Sequence, residues 1–158
     1  MEPQSPVPFA TPLEPAERAE WAFDAWLRGV MIVGGLTLVT LLIVARTLEP
    51  NPGGMGTHQQ LGLPPCSSVS MWGVRCPACG MTTSWAYLTR GNVLASLSVN
   101  SGGTLLGLAA AVTGPWLLMS GIRGRWFGNP PHEFVILGIC VIVAFVIAID
   151  WLLRIYGS

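Results

Sequence analysis

The sequence predicts an all-α integral membrane protein: three transmembrane helices, with short interfacial helices in the loop between the first two. Three observations predict it. Stretches 29–47, 101–122 and 132–155 are each dominated by apolar residues over about the 20 positions a bilayer core requires. Charged residues make up only 10% of the chain against 51% hydrophobic, far below the charged share of a soluble domain. Between the first two apolar stretches, residues 48–65 hold Pro50, Pro52, Gly53, Gly54, Gly56, Gly62, Pro64 and Pro65, a density of breakers that rules out a span and predicts no regular element.

Residues 1–13 are proline-rich and polar, without an apolar period, and are expected to form a disordered tail. Residues 14–28 place Ala19, Ala22, Phe23, Trp26 and Leu27 at helical spacing with Glu17, Glu20 and Asp24 interleaved, the pattern of an amphipathic segment at the membrane surface. Its Glu14-Pro15 start suits a first helical turn. The first span, 29–47, is bracketed by Arg28 and Arg46. It is not a cleavable signal peptide, because the leading region is acidic and no small-x-small site follows.

Residues 48–100 form the cysteine-containing loop. Residues 66–71 suit a short turn of helix, and 77–89 a longer one with Met81, Trp85 and Leu88 on one face. Gly91-Asn92 stops that helix and caps the next. Asn100 and Ser101 are N-caps for the second span, in which Gly103 and Gly107 invite close approach of another helix. Residues 123–131 are a short loop before the third span. There Asp150 and Arg154 are spaced to pair, as solvated groups at a helix end. Trp26, Trp72, Trp126 and Trp151 lie near the span ends, as an aromatic belt requires.

Three spans put the termini on opposite sides. Arg18, Arg28, Arg123 and Arg125 share one side, and Arg46, Arg75, Arg90 and Arg154 the other, so the arginine count is balanced. The short 123–131 loop breaks the tie, because cations in short loops resist translocation best. It is expected in the cytoplasm with the N-terminus, in a multi-pass protein of the cell membrane. The cysteine loop is then extracytoplasmic, where disulfides persist.

Cys66, Cys76 and Cys79 fall within one 14-residue window, and three chemistries compete for them. A Cys-Pro-x-Cys-Gly turn is a metal knuckle: Cys76 and Cys79 supply two thiolates, with Cys66 and His58 completing four zinc ligands. The same turn opens a helix whose positive end lowers a thiol pKa, which suits thiol–disulfide exchange with Cys66 as partner. A purely structural disulfide from Cys66 to Cys76 or Cys79 would pin the loop, contributing about 2–3 kcal/mol. Cys140, mid-span, is read as a buried small hydrophobe.

Other chemistry is excluded by what the chain lacks. His58 and His132 are its two histidines, so no Ser-His-Asp set forms. Gly80 follows the Cys-x-x-Cys where haem attachment needs histidine. No phosphate loop with its lysine is present. The zero formal net charge argues against nucleic acid as a partner.

On Cys66, Gly73, Cys76, Pro77, Cys79, Gly80 and Thr82, the chain resembles the small bacterial membrane proteins of domain of unknown function 2752. Gly91-Asn92 stands for that family's Gly-Asp turn, Ala95 for its alanine and Asn100 for its Asn-Pro start of a membrane helix. Thr83 occupies the family's arginine position and Ser101 its proline position. The resemblance implies a membrane protein whose core is this loop, with Gly73, Pro77, Gly80, Thr82 and Asn100 supporting the motif, and it implies no activity.

The expectation is therefore a non-catalytic accessory or scaffold protein with a disulfide-stapled extracytoplasmic loop. Its partners are the lipid bilayer and other membrane proteins, and no cofactor is predicted. The alternative is a membrane thiol–disulfide oxidoreductase or a zinc-site protein using Cys76 and Cys79.

Overall fold

The computed structural model describes residues 22–156. The expected tail, 1–13, and most of the amphipathic segment, 14–28, lie outside the described residues. Three long helices carry the chain: α1 (Ala25–Thr47), α5 (Ser101–Arg123) and α6 (Glu133–Tyr156). Between α1 and α5 lie a 3-10 turn (Thr57–Leu61) and the short helices α2 (Ser67–Trp72), α3 (Met81–Leu88) and α4 (Val93–Val99). All three long helices are long and apolar enough to cross a membrane, and the chain is a multi-pass membrane protein whose outer surface contacts lipid.

The first helix starts at Ala25, so Trp26, Leu27 and Arg28 are continuous with the helix of the apolar stretch. Residues 48–65 hold a regular element after all. Thr57–Leu61 forms a 3-10 turn capped at both ends by left-handed glycines, Gly56 and Gly62. Glycine supplies positive φ without strain, so the breakers delimit the element. Side chains hold it in place. Gln60 Oε1 accepts from the Glu49 amide at 3.0 Å, and its Nε2 donates to the Glu49 carbonyl at 2.6 Å.

Helices α1 and α5 run antiparallel in close contact. A Cβ on Gly35 would stand 2.7 Å from the Leu118 amide nitrogen and 2.8 Å from the Gly114 carbonyl. One on Gly121 would stand 2.8 Å from Ile32. Between lipid-soluble helices, association rests on this close packing of small residues rather than on apolar burial. At the same end Arg28 donates to the Gly121 and Ile122 carbonyls, each at 3.3 Å, setting a cation at the negative end of α5. The 123–131 loop folds back there. Trp126 stacks on Trp116 and meets Phe23 edge-on, and the Trp116 indole donates to the Phe127 carbonyl at 2.7 Å.

Helix α6 has no buried residue and is fastened at its C-terminal end. Asp150 accepts from the Ser101 hydroxyl at 2.6 Å while paired with Arg154 at 2.5 Å. The pair is thus not only a solvated helix-end feature: it also ties α6 to the first turn of α5. Trp151 donates from Nε1 to the Arg75 carbonyl at 2.7 Å. The cysteine segment therefore shares one end of the bundle with the C-terminus of α1, the N-terminus of α5 and the C-terminus of α6.

Candidate thiol site

The residues that carry chemistry flank α2: Cys66 precedes it, and Cys76 and Cys79 lie in the turn between α2 and α3. Cys66 is the N-cap of α2. Gly73 ends that helix with φ +66, its amide bonded to the Val69 carbonyl. The chain then reverses through Cys76–Gly80, where the Cys79 amide donates to the Cys76 carbonyl at 3.0 Å. Gly80 caps α3 with φ +85, and a Cβ there would lie 2.7 Å from the Gly54 carbonyl. Any side chain would push the 3-10 loop off the motif.

Asn100 holds the turn to the second span. It is 1% exposed. Its Nδ2 donates to the carbonyls of Pro77 at 3.2 Å and Cys79 at 3.1 Å, while its Oδ1 accepts from the Gly103 amide at 2.6 Å and caps α5. One amide thus satisfies groups on both sides of the junction, the accounting a buried polar side chain requires.

Behind it sits a buried hydroxyl cluster that spacing does not reveal. Ser84 Oγ lies 2.8 Å from Ser96 Oγ and 3.0 Å from Thr104 Oγ1, and the last two are 2.8 Å apart. All three residues are fully buried. Thr83, at the position where the resembled family has arginine, pairs with buried Thr57 at 2.8 Å, and Thr57 accepts from the Asn51 amide at 3.0 Å. Trp85 donates from Nε1 to the Gly103 carbonyl at 2.7 Å, and with Leu88 packs over Gly107, the predicted close-approach glycine. The sequence signal for this cluster is weak. Small hydroxyls on short apolar helices read as neutral filler until the helices are packed together.

The three sulfurs converge. Cys76 Sγ lies 3.2 Å from Cys79 Sγ, Cys79 Sγ lies 3.3 Å from Cys66 Sγ, and Cys66 to Cys76 is 3.8 Å. None of these is a disulfide, whose sulfurs stand about 2.05 Å apart; all are free thiols. The turn delivers Cys76 and Cys79 together to Cys66 and packs the three into a triangle. Cys140 is exposed on α6, not buried as expected, because that helix buries no residue against the others.

The thiols are electrostatically unequal, and not in the expected order. Cys66 is lowered from 9.0 to about 7, first by the hydrogen bond from Cys79 and then by the Val69 and Ser68 amides at the start of α2. Cys79, at the start of α3, is raised from 9.0 to about 12, chiefly by burial. Desolvation disfavours its thiolate more than the helix start favours it.

A cavity of about 450 Å³ opens beside the triangle. It is lined by the three cysteines together with His58, Met55, Met81 and Thr82. His58 belongs to the lining but not to the cluster of converging ligand atoms. Its Nε2 donates to the Pro64 carbonyl at 3.2 Å. Among the described residues, Cys66, Cys76 and Cys79, each offering one sulfur within 4.8 Å of the others, form the group that could hold a metal ion.

Residues 66–114 match the family model described as Protein of unknown function (DUF2752). The match begins at Cys66 and ends halfway along α5, covering α2, α3, α4 and the Asn100 junction. No curated protein and no solved structure matches.

Proposed function

Residues 66–114 are similar to the DUF2752 family, and we propose that the protein is a membrane-anchored metal-binding protein. Its extramembrane cap takes a thiophilic divalent cation of the zinc class on Cys66, Cys76 and Cys79. The observation that carries this reading is the sulfur triangle, with edges of 3.2, 3.3 and 3.8 Å. Zinc–sulfur bonds of about 2.3 Å in a tetrahedral site imply sulfur–sulfur edges of about 3.8 Å. Loading then needs the two short edges to open by about half an ångström. A disulfide uses two sulfurs and gives no role to a third held within 3.8 Å of both. Each thiol that ligates gives up its proton to solvent, so affinity rises with pH. The arginines of the 123–131 loop favour that loop on the cytoplasmic side and the cysteine cap on the outer face. In this reading the cap is a non-catalytic structural or partner-binding element.

The test is metal stoichiometry on the full-length protein in detergent, reduced and then offered Zn²⁺. One zinc per chain is expected, lost in each of Cys66→Ser, Cys76→Ser and Cys79→Ser. A protein that takes up no zinc, and reoxidises to one reduction-resistant cysteine pair, would instead support a structural staple.

The unequal thiols favour a second reading, thiol–disulfide exchange. The Cys66 thiolate would attack a partner's disulfide, releasing one partner sulfur as thiolate. Cys79 would then lose its proton to solvent, close on Cys66 and release the second partner thiolate, leaving this chain oxidised and the partner reduced by two electrons. A Cys79→Ser variant that accumulates mixed disulfides through Cys66 in membranes would favour this chemistry over metal binding.

A further inference from the structure

Resting on the three-thiolate reading, we infer that the fourth coordination position of the bound cation belongs to an exogenous, uncharged nitrogen or sulfur donor that enters from the adjacent cavity. Three facts lead there. Among the described residues, the converging ligand atoms are the three sulfurs and nothing else. His58, the remaining candidate, is held back. Neither of its ring nitrogens converges with the sulfurs, Nε2 bonds the Pro64 carbonyl, and its backbone sits in the 3-10 turn pinned through Thr57 to Asn51 and Thr83, and through Gln60 to Glu49. A zinc-class cation with three protein ligands keeps an open position.

That position has room for an occupant. The cavity of about 450 Å³ is in the range of small-molecule sites. Met55, Val69 and Met81 give it apolar walls, and no Asp, Glu, Lys or Arg lines it. The charge balance then selects the donor. Three thiolates around a divalent cation sum to one negative charge, and an anionic fourth ligand would add a second with no cation in the lining to offset it. Poorly screened like charges repel. A neutral imidazole or thioether adds no charge, and its carbon atoms meet apolar walls.

The experiment uses full-length protein in detergent loaded with Co²⁺, whose sulfur-to-metal charge-transfer bands report the thiolates and whose ligand-field bands report the fourth ligand. Imidazole is expected to shift the ligand-field bands saturably with the charge-transfer intensity retained, azide to leave them unmoved, and His58→Ala to behave as the unaltered protein. A site unresponsive to imidazole while its thiolate bands persist is closed, and overturns the inference alone. Ligand-field bands already altered in His58→Ala would make His58 the fourth ligand and overturn it too. An equal response to azide would overturn the charge argument and with it the choice of donor. Failure to develop thiolate bands at all would remove the three-thiolate reading beneath it.

Discussion

The two ends of α5 are gripped by different chemistry. At its C-terminal half, Gly114 and Gly121 let α1 approach until backbone meets backbone, and Arg28 caps the last carbonyls. At its N-terminus the grip is polar and buried: Asn100 clamps the cysteine turn, and Ser84, Ser96 and Thr104 bond one another. The difference follows from the solvent. Within lipid, apolar side chains gain nothing by leaving it, so close packing of small residues holds the helices. At the membrane edge, buried polar groups must find partners, and a satisfied network fixes one arrangement of the backbone. The apolar grip holds two spans together; the polar grip sets the positions of three sulfurs.

Substitutions can separate the two grips. The largest effect is expected from Asn100→Ala, which strips the Pro77 and Cys79 carbonyls and the Gly103 amide of their partner. Orphaned buried groups cost about 1–3 kcal/mol each. The expected outcome is a loss on the order of 4 kcal/mol in detergent unfolding, with zinc affinity at least tenfold weaker (about 1.4 kcal/mol). Undiminished affinity would show that the turn shapes the thiol site without α5.

Next is Gly35→Val. Its Cβ would meet main-chain atoms of Leu118 and Gly114, and overpacking costs about 1–3 kcal/mol. Unfolding should shift by that amount while metal stoichiometry stays at one. A variant that loses metal would mean the two grips are one unit. Ser84→Ala should cost less, about 1–2 kcal/mol, because Ser96 and Thr104 still bond each other; an unchanged unfolding midpoint would remove the hydroxyl cluster from the account of the cap.

The smallest effect is on reactivity alone. In metal-free, reduced protein, the rate of Cys66 alkylation should rise through a midpoint near pH 7, following its lowered value, because thiolate accumulates as pH passes the pKa. Cys79 should stay unlabelled until pH nears 12. Mass spectrometry of peptides across a pH series checks the order. Equal labelling of the two at pH 8 would contradict the asymmetry.

Much of this was legible in the chain and some was not. The spans were legible, because a helix in lipid needs little beyond an unbroken apolar stretch of sufficient length. So were the Gly91-Asn92 stop and cap, since Asn92 accepts from the Ala95 amide as its residue type prescribes. The 3-10 turn was hidden by its own punctuation, because the glycines and prolines that mark loops also cap short elements. Asn100 was identified as a cap from its place before the second span. Its hold on Pro77 and Cys79 was not, because those contacts span 23 and 21 residues and no local spacing encodes them.

By itself, the sequence determined that three helices are long and apolar enough to cross a membrane, and that three cysteines share a short segment between the first two. These are local properties: apolar length, capping residues and Cys-Pro-x-Cys-Gly spacing act over one or two helical turns. Only the tertiary structure decided that the three sulfurs meet in a triangle, that Cys66 rather than Cys79 has its thiolate favoured, and that His58 stays outside the cluster of converging sulfurs. Those outcomes depend on how α2, α3 and the 3-10 turn are held against the start of α5. That packing is set by buried hydroxyls and one amide, whose partners lie far away in sequence.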